Sequence, residues 1–236
     1  TPVTVFKADG GIDLGSDSPI FGGIHLNGGD GDLLTMSTSG GTVRFNGAVE
    51  LDSDVCVNSS DDGQPLGAEI RFTANSPIDS QFGETNKLTL TAGEEGTVNF
   101  NADIGVNAAL SQLIVTDAAG VFLGNDFGAD PDLAPISMVR VDGDPLDPDA
   151  FAIDLGSVTE IGFEGIVLNA GDGDTLSLIT TADRVRLNGP VVLESDVLID
   201  TTDAGAEVGA EIRVTRHATI HGQTAESNDL TLTAGT

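Results

Sequence analysis

Apolar and polar residues alternate in short runs along the whole chain, and the runs end at bends rich in Asn, Gly and Asp. A five-residue pattern, apolar-x-apolar followed by Asn or Thr and then Gly or Ala, occurs at Ile24 (Ile-His-Leu-Asn-Gly), Val43 (Val-Arg-Phe-Asn-Gly) and Ile70 (Ile-Arg-Phe-Thr-Ala). It returns at Val98 and Ile166, and more loosely at Val121 and Val139. Successive starts lie 19, 27, 28, 23, 18 and 27 apart, with a mean of about 24. Period-two alternation over four to six positions predicts strands with one buried face. Asn and Gly at the bends supply the left-handed backbone that a tight corner needs. Second and third alternating pieces follow most bends, as at 48–51 and 54–57. No apolar stripe recurs at helical spacing.

Three short strands in roughly 24 residues is the period of one coil of a parallel β-helix. The expected fold is therefore all-β: a β-solenoid of about ten coils, with ladders of Val, Ile, Leu and Phe inside and Asn at the corners. At about 4.8 Å per coil it would form a rod roughly 48 Å long. The alternative is a pair of tandem β-sandwich domains, one for each copy of the long repeat described next. Sandwiches commonly anchor their core on a buried Trp or a corner Tyr, and this chain has neither.

A longer repeat underlies the short one. Residues 24–93 align without gaps to 166–235, a shift of 142, with 36 identities in 70 positions. VRFNGAVELDSDV, from Val43, returns as VRLNGPVVLESDV, from Val185, and AEIRFT, from Ala68, returns as AEIRVT, from Ala210. Upstream, IDLG at Ile12 returns at Ile153, shifted by 141. We expect one continuous solenoid over 1–236, with a first long repeat at 12–152 and a truncated second at 153–236. The chain opens on Thr1 and stops within a repeat. The expectation is a longer parent polypeptide, continued head to tail either covalently or by self-association through strand edges.

Composition narrows the partners. The 236 residues carry 38 Asp and Glu against nine Lys and Arg, a formal net charge of −29. Nucleic acid is excluded as a partner, because binding needs clustered basic residues that displace counterions. Membrane insertion is not expected, since no apolar run approaches the length of a span. A hydrophobic content of 39% is too high for a disordered acidic tail. The single Cys56 rules out an internal disulfide framework.

GTVNFNADIGVNAALSQLIVTDAAGVFLG, from Gly96, and RVRLNGPVVLESDVLIDT, from Arg184, resemble coils of very large bacterial surface proteins of the filamentous-haemagglutinin and autotransporter-adhesin kind. The likeness lies in strand-and-bend rhythm and covers most of the chain. It implies a right-handed β-helix that is secreted, sits outside the cell or on its surface, and serves as a stalk, adhesin shaft or surface fibre.

Several residues are candidates for chemistry. The stretch between Gly124 and Ala150 holds Asp126, Asp130, Asp132, Asp142, Asp144, Asp147 and Asp149, with Arg140 its one base. Asp142, Asp144, Asp147 and Asp149 are candidate calcium ligands, because alternate carboxylates in a loop can converge on one ion. They lack the central Gly and terminal Glu of an EF-hand, and a solvated acidic loop is the simpler explanation. GGDGDLL, from Gly28, and AGDGDTL, from Ala170, are similar to a calcium-binding nonapeptide. Each occurs once per long repeat, though, and reads as an acidic turn.

Cys56 corresponds to Leu198 and is expected in an inward apolar slot. His25, His217 and His221 correspond to Val167, Asn75 and Asp79, which points to surface decoration, although His217 and His221 share a bend. Arg71 beside Glu69, and Arg213 beside Glu211, should form outward ion pairs. An active site is not expected: carboxylates this abundant pair by chance, and neither Tyr nor more than two Lys is present to serve as acid or base. The function read from the sequence is structural. A calcium-dependent adhesin or glycan-binding module that recognises a host or cell surface is the alternative, and a β-helix enzyme acting on polysaccharide ranks third.

Overall fold

A computed structural model describes residues 3–16, 22–29, 31–61, 64–125, 130–143, 147, 150–156, 163–203, 208–215, 218–223 and 227–235. The chain forms β1 (Val5–Ala8), β2 (Ile12–Gly15), β3 (Ile24–Leu26), β4 (Leu33–Thr38), β5 (Val43–Asn46), β6 (Val49–Leu51), β7 (Asp54–Asn58) and β8 (Ile70–Phe72). Then follow β9 (Ile78–Ser80), β10 (Lys87–Thr91), β11 (Thr97–Phe100), β12 (Gln112–Asp117), β13 (Gly120–Leu123), β14 (Met138–Val141), β15 (Phe151–Leu155) and β16 (Gly165–Leu168). The last strands are β17 (Thr175–Thr180), β18 (Arg184–Leu187), β19 (Val191–Leu193), β20 (Asp196–Asp200), β21 (Ile212–Val214), β22 (Ile220–Gly222) and β23 (Leu230–Thr233). No α-helix occurs among the described residues.

The strands sort into stacked parallel sheets. The first is β1-β4-β7-β10-β12-β15-β18-β21 and the second is β2-β5-β8-β11-β13-β16-β19-β22. A third face carries β3-β6-β9 and β14-β17-β20-β23, and Ile104 joins the two groups through parallel bridges to Ile78 and Val139. With Ile104 counted on the third face, the described residues visit the three faces in rotation eight times. This is the arrangement of the β-helix class. Among the described residues every pairing between strands is parallel, and the antiparallel sheets of a sandwich are not found there. The 152/153 boundary of the long repeat falls inside β15.

Eight passes replace the ten expected from the short motif. That motif falls on the second sheet at Val43, Ile70, Val98, Val121 and Ile166, but on the third at Ile24 and Val139. It marks a strand followed by a bend, whichever face the strand occupies, so its mean spacing is shorter than a full turn.

The same effect displaces the two long repeats by one face. β3, on the third face, corresponds to β16 on the second; β5, on the second, to β18 on the first; β7, on the first, to β20 on the third. Register is nevertheless copied. Ile24 opposite Val49 becomes Ile166 opposite Val191, and Val43 opposite Ile70 becomes Val185 opposite Ile212. The bends are copied as well. Ser59 Oγ donates to the Ala68 carbonyl at 2.6 Å, and Thr201 Oγ1 to that of Ala210 at 3.0 Å. A Cβ on Gly67 would collide with the Ala92 carbonyl, as one on Gly209 would with that of Ala234. With Ile104 counted as a strand position, one long repeat advances the chain by fourteen positions, four turns and two faces.

The interior is built of ladders. Ile12, Val43, Ile70, Val98, Val121, Ile166, Val191 and Ile220 stand in register along the second sheet. β-branched side chains suit such a column, because their restricted χ1 packs on a pleated surface. Beside it Phe45, Phe72 and Phe100 are fully buried and stack, with ring centroids 4.6 and 5.3 Å apart and planes within 4° and 7° of parallel. Those separations are set by the strand spacing of about 4.8 Å. The expected corner Asn residues are present: Asn46, Asn101 and Asn169 are buried where the chain leaves the second sheet. Asn46 Oδ1 accepts from Thr73 Oγ1 at 2.9 Å, and Asn101 Nδ2 donates to the Phe72 carbonyl at 2.9 Å.

Candidate functional site

Part of the negative charge holds the bends together. A strand entering a sheet leaves a backbone N–H to be satisfied, and carboxylates one turn away accept it. Asp54 Oδ1 accepts from Lys87 N at 2.9 Å, and the equivalent Asp196 Oδ1 from Asp229 N at 2.8 Å. Asp79 Oδ1 takes Asn107 N and Ala108 N, and Asp103 Oδ1 takes Ser137 N and Met138 N. Such charge-assisted bonds are the stronger kind. They give these acidic residues a structural role.

The first half of the acidic insertion docks on an arginine ladder. Arg44 and Arg71 are register partners on the outer surface of the second sheet. Arg44 grips Asp132 with both arms of its guanidinium, Nε to Oδ2 at 2.9 Å and Nη2 to Oδ1 at 3.0 Å, and also reaches Asp13 at 3.1 Å. Arg71 bonds Glu69 at 2.9 Å and Asp130 at 3.1 Å. The Asp132 carbonyl accepts Ala74 N at 2.9 Å, so backbone as well as charge fixes the loop. The bond to Asp132 raises the Arg44 pKa above its ordinary value. Asp130 is held below the ordinary carboxylate range, first by the Asp132 backbone N–H and then by Arg71.

The second repeat solves the same problem differently. Arg186 bonds Asp154, Arg213 bonds Glu211 at 2.8 Å, and both guanidiniums lie over the Phe151 ring at 4.7 and 5.2 Å. The outward Arg–Glu pairs expected from the sequence are present in both copies.

Of the candidate calcium ligands, Asp142 accepts from Thr181 Oγ1 at 3.0 Å and lies 3.7 Å from Arg140. Asp147 is exposed, while Asp144 and Asp149 lie outside the described residues, as does His217. Gly31 and Asp32 of the first GDGD stretch, and Asp172 and Gly173 of the second, line cavities at equivalent corners. One, of about 200 Å³, is bordered by Asp32, Asp52, Asp54 and Glu84; the other, of about 310 Å³, by Asp172, Asp196 and Asn228. Asp54 and Asp196 already accept backbone N–H groups there.

Cys56 does not occupy the expected inward slot. Strand alternation turns Val55 and Val57 inward and leaves Cys56 half-buried on the outer face, between Thr35 and Thr89. Leu198 takes the same outward position. Burial pushes the Cys56 thiol pKa up, away from reactivity.

One cluster is invisible to inspection along the sequence. His25 on β3 stands opposite Glu50 on β6, and Asp52 follows β6 directly. His25 Nδ1 lies 3.4 Å from Glu50 Oε1 and 3.4 Å from Asp52 Oδ1. Parallel register creates this juxtaposition between residues one coil apart along the chain. Its one sequence trace is that His25 and Glu50 both become Val, as Val167 and Val192, in the second repeat, where they are again register partners. No protein-family model, curated protein or solved structure matches the chain.

Proposed function

We propose that this chain is a structural segment of a secreted, repetitive bacterial surface protein, serving as stalk, shaft or filament building block. In this reading the three faces close around one interior as a right-handed parallel β-helix, and the load is carried by backbone ladders and apolar ladders. The observation that carries it is the copying of strand register from one long repeat to the next despite displacement by one face. A unit that needs no fixed face can be added without a junction, which suits a protein selected for length.

Partners in this reading are further repeats or a second copy, joined head to tail. β1 and its approach leave Val3, Val5 and Phe6 exposed, and Phe6, Leu14, Leu26 and Met36 line a cavity of about 310 Å³. At the other extreme Ile220 and Leu232 are exposed. Strand edges with apolar flanks favour axial stacking, and the charge of −29 opposes lateral association. Immunogold labelling of intact cells of the source organism with antibodies to this chain tests the reading. Gold on extended surface structures is expected; gold confined to the cell interior would overturn it.

A further inference from the structure

We propose that His25, Glu50 and Asp52 form a binding site for one divalent first-row transition metal ion, with Zn²⁺ the best fit. All three donor atoms lie within 4.8 Å of one another. Metal–nitrogen and metal–oxygen bonds of about 2.0–2.1 Å in a tetrahedral site place neighbouring donors about 3.3–3.4 Å apart. Nδ1 of His25 lies 3.4 Å from each carboxylate. That spacing matches two edges of a tetrahedron around one ion, and the two carboxylate donors lie within 4.8 Å of each other.

The fold holds the donors in place. Parallel pairing fixes His25 against Glu50, and the Asp52 N–H donates to the Leu26 carbonyl at 2.9 Å. The second Asp52 oxygen faces Asn27 Nδ2 at 3.4 Å, leaving Oδ1 toward the histidine. His25 and Glu50 are open to solvent, so water fills the fourth position. One imidazole with two carboxylates suits zinc, copper or nickel, whereas calcium and magnesium take oxygen donors.

The second repeat is a built-in control, with Val167, Val192 and Glu194 at the equivalent positions. Isothermal titration of the full chain with ZnCl₂ at physiological salt should give saturable binding of one ion per chain, unaffected by millimolar Ca²⁺ or Mg²⁺. His25→Val and Glu50→Val import residues that the same local structure already tolerates, and each should weaken binding by about tenfold or more with the circular dichroism unchanged. The double substitution Val167→His and Val192→Glu should create a second site and raise the stoichiometry to two. Cu²⁺ bound to the parent chain should show nitrogen coupling from one imidazole in its electron paramagnetic resonance spectrum. Zinc binding that survives His25→Val, uptake by many weak carboxylate sites without saturation, or a copper spectrum free of nitrogen coupling would overturn the assignment.

Discussion

Phe72→Ala tests the interior directly. Phe72 is 1% exposed and lies between Phe45 and Phe100, stacked on both. Truncating a fully buried Phe removes its transfer free energy and leaves a cavity that the neighbouring coils, held by their ladders, cannot collapse; the expected cost is about 3–5 kcal/mol. Phe72→Leu keeps most of the volume and loses two aromatic contacts, each worth about 0.5–1.5 kcal/mol, so its cost should be about 1–2 kcal/mol after partial repacking. With no Trp or Tyr in the chain, urea unfolding is followed by far-ultraviolet circular dichroism. For a slope of about 3 kcal/mol/M, Phe72→Ala should lower the midpoint by about 1–1.7 M. A loss below about 1 kcal/mol for Phe72→Ala, or equal losses for the two variants, would refute a continuous Phe ladder.

Three further outcomes follow from the outer surface. A double-mutant cycle of Arg44→Ala and Asp132→Ala, read by urea midpoint, should give a coupling of about 1–2 kcal/mol, and Arg44→Lys should not restore it because one ammonium cannot make the paired bonds; additive losses would disprove the clamp. The Asp130 pKa is depressed below its ordinary 3.8, so its stabilisation is complete above that pH and is lost as pH falls through the lowered value. The midpoint gap between the parent chain and Asp130→Asn should thus stay constant above pH 3.8 and shrink below it, whereas a gap that grows on acidification would reverse the sign. Finally, Thr89→Cys places a thiol opposite Cys56 on the outer face, at a Cα separation of about 4.8 Å that permits a disulfide; oxidation without a cross-link would contradict the register.

How much of this is legible in the sequence depends on the range of the interaction. Strands such as β5 and β11, and the buried Asn at the following bend, follow from local alternation and from the backbone needs of a corner, which a short window of sequence states. The count of coils does not. Val43 and Ile24 carry the same motif on different faces, because a strand-and-bend unit specifies its own conformation and not its azimuth around the stack. Cys56 departs from expectation for a related reason: its apolar counterpart Leu198 suggests an interior position, yet alternation between Val55 and Val57 faces it outward. The Asp132 clamp on Arg44 joins residues 88 apart, and His25 meets Glu50 only through parallel register. Neither contact has a local signature.

The central claim is that each long repeat adds fourteen strand positions to one unbroken stack. Small-angle scattering from this chain, and from versions lengthened by one and two further repeats, measures it. Four and two-thirds turns at about 4.8 Å each should lengthen the rod by about 22 Å per repeat at constant cross-section. An increment of about 29 Å, the rise of six coils, or a string of separate bodies, would contradict it.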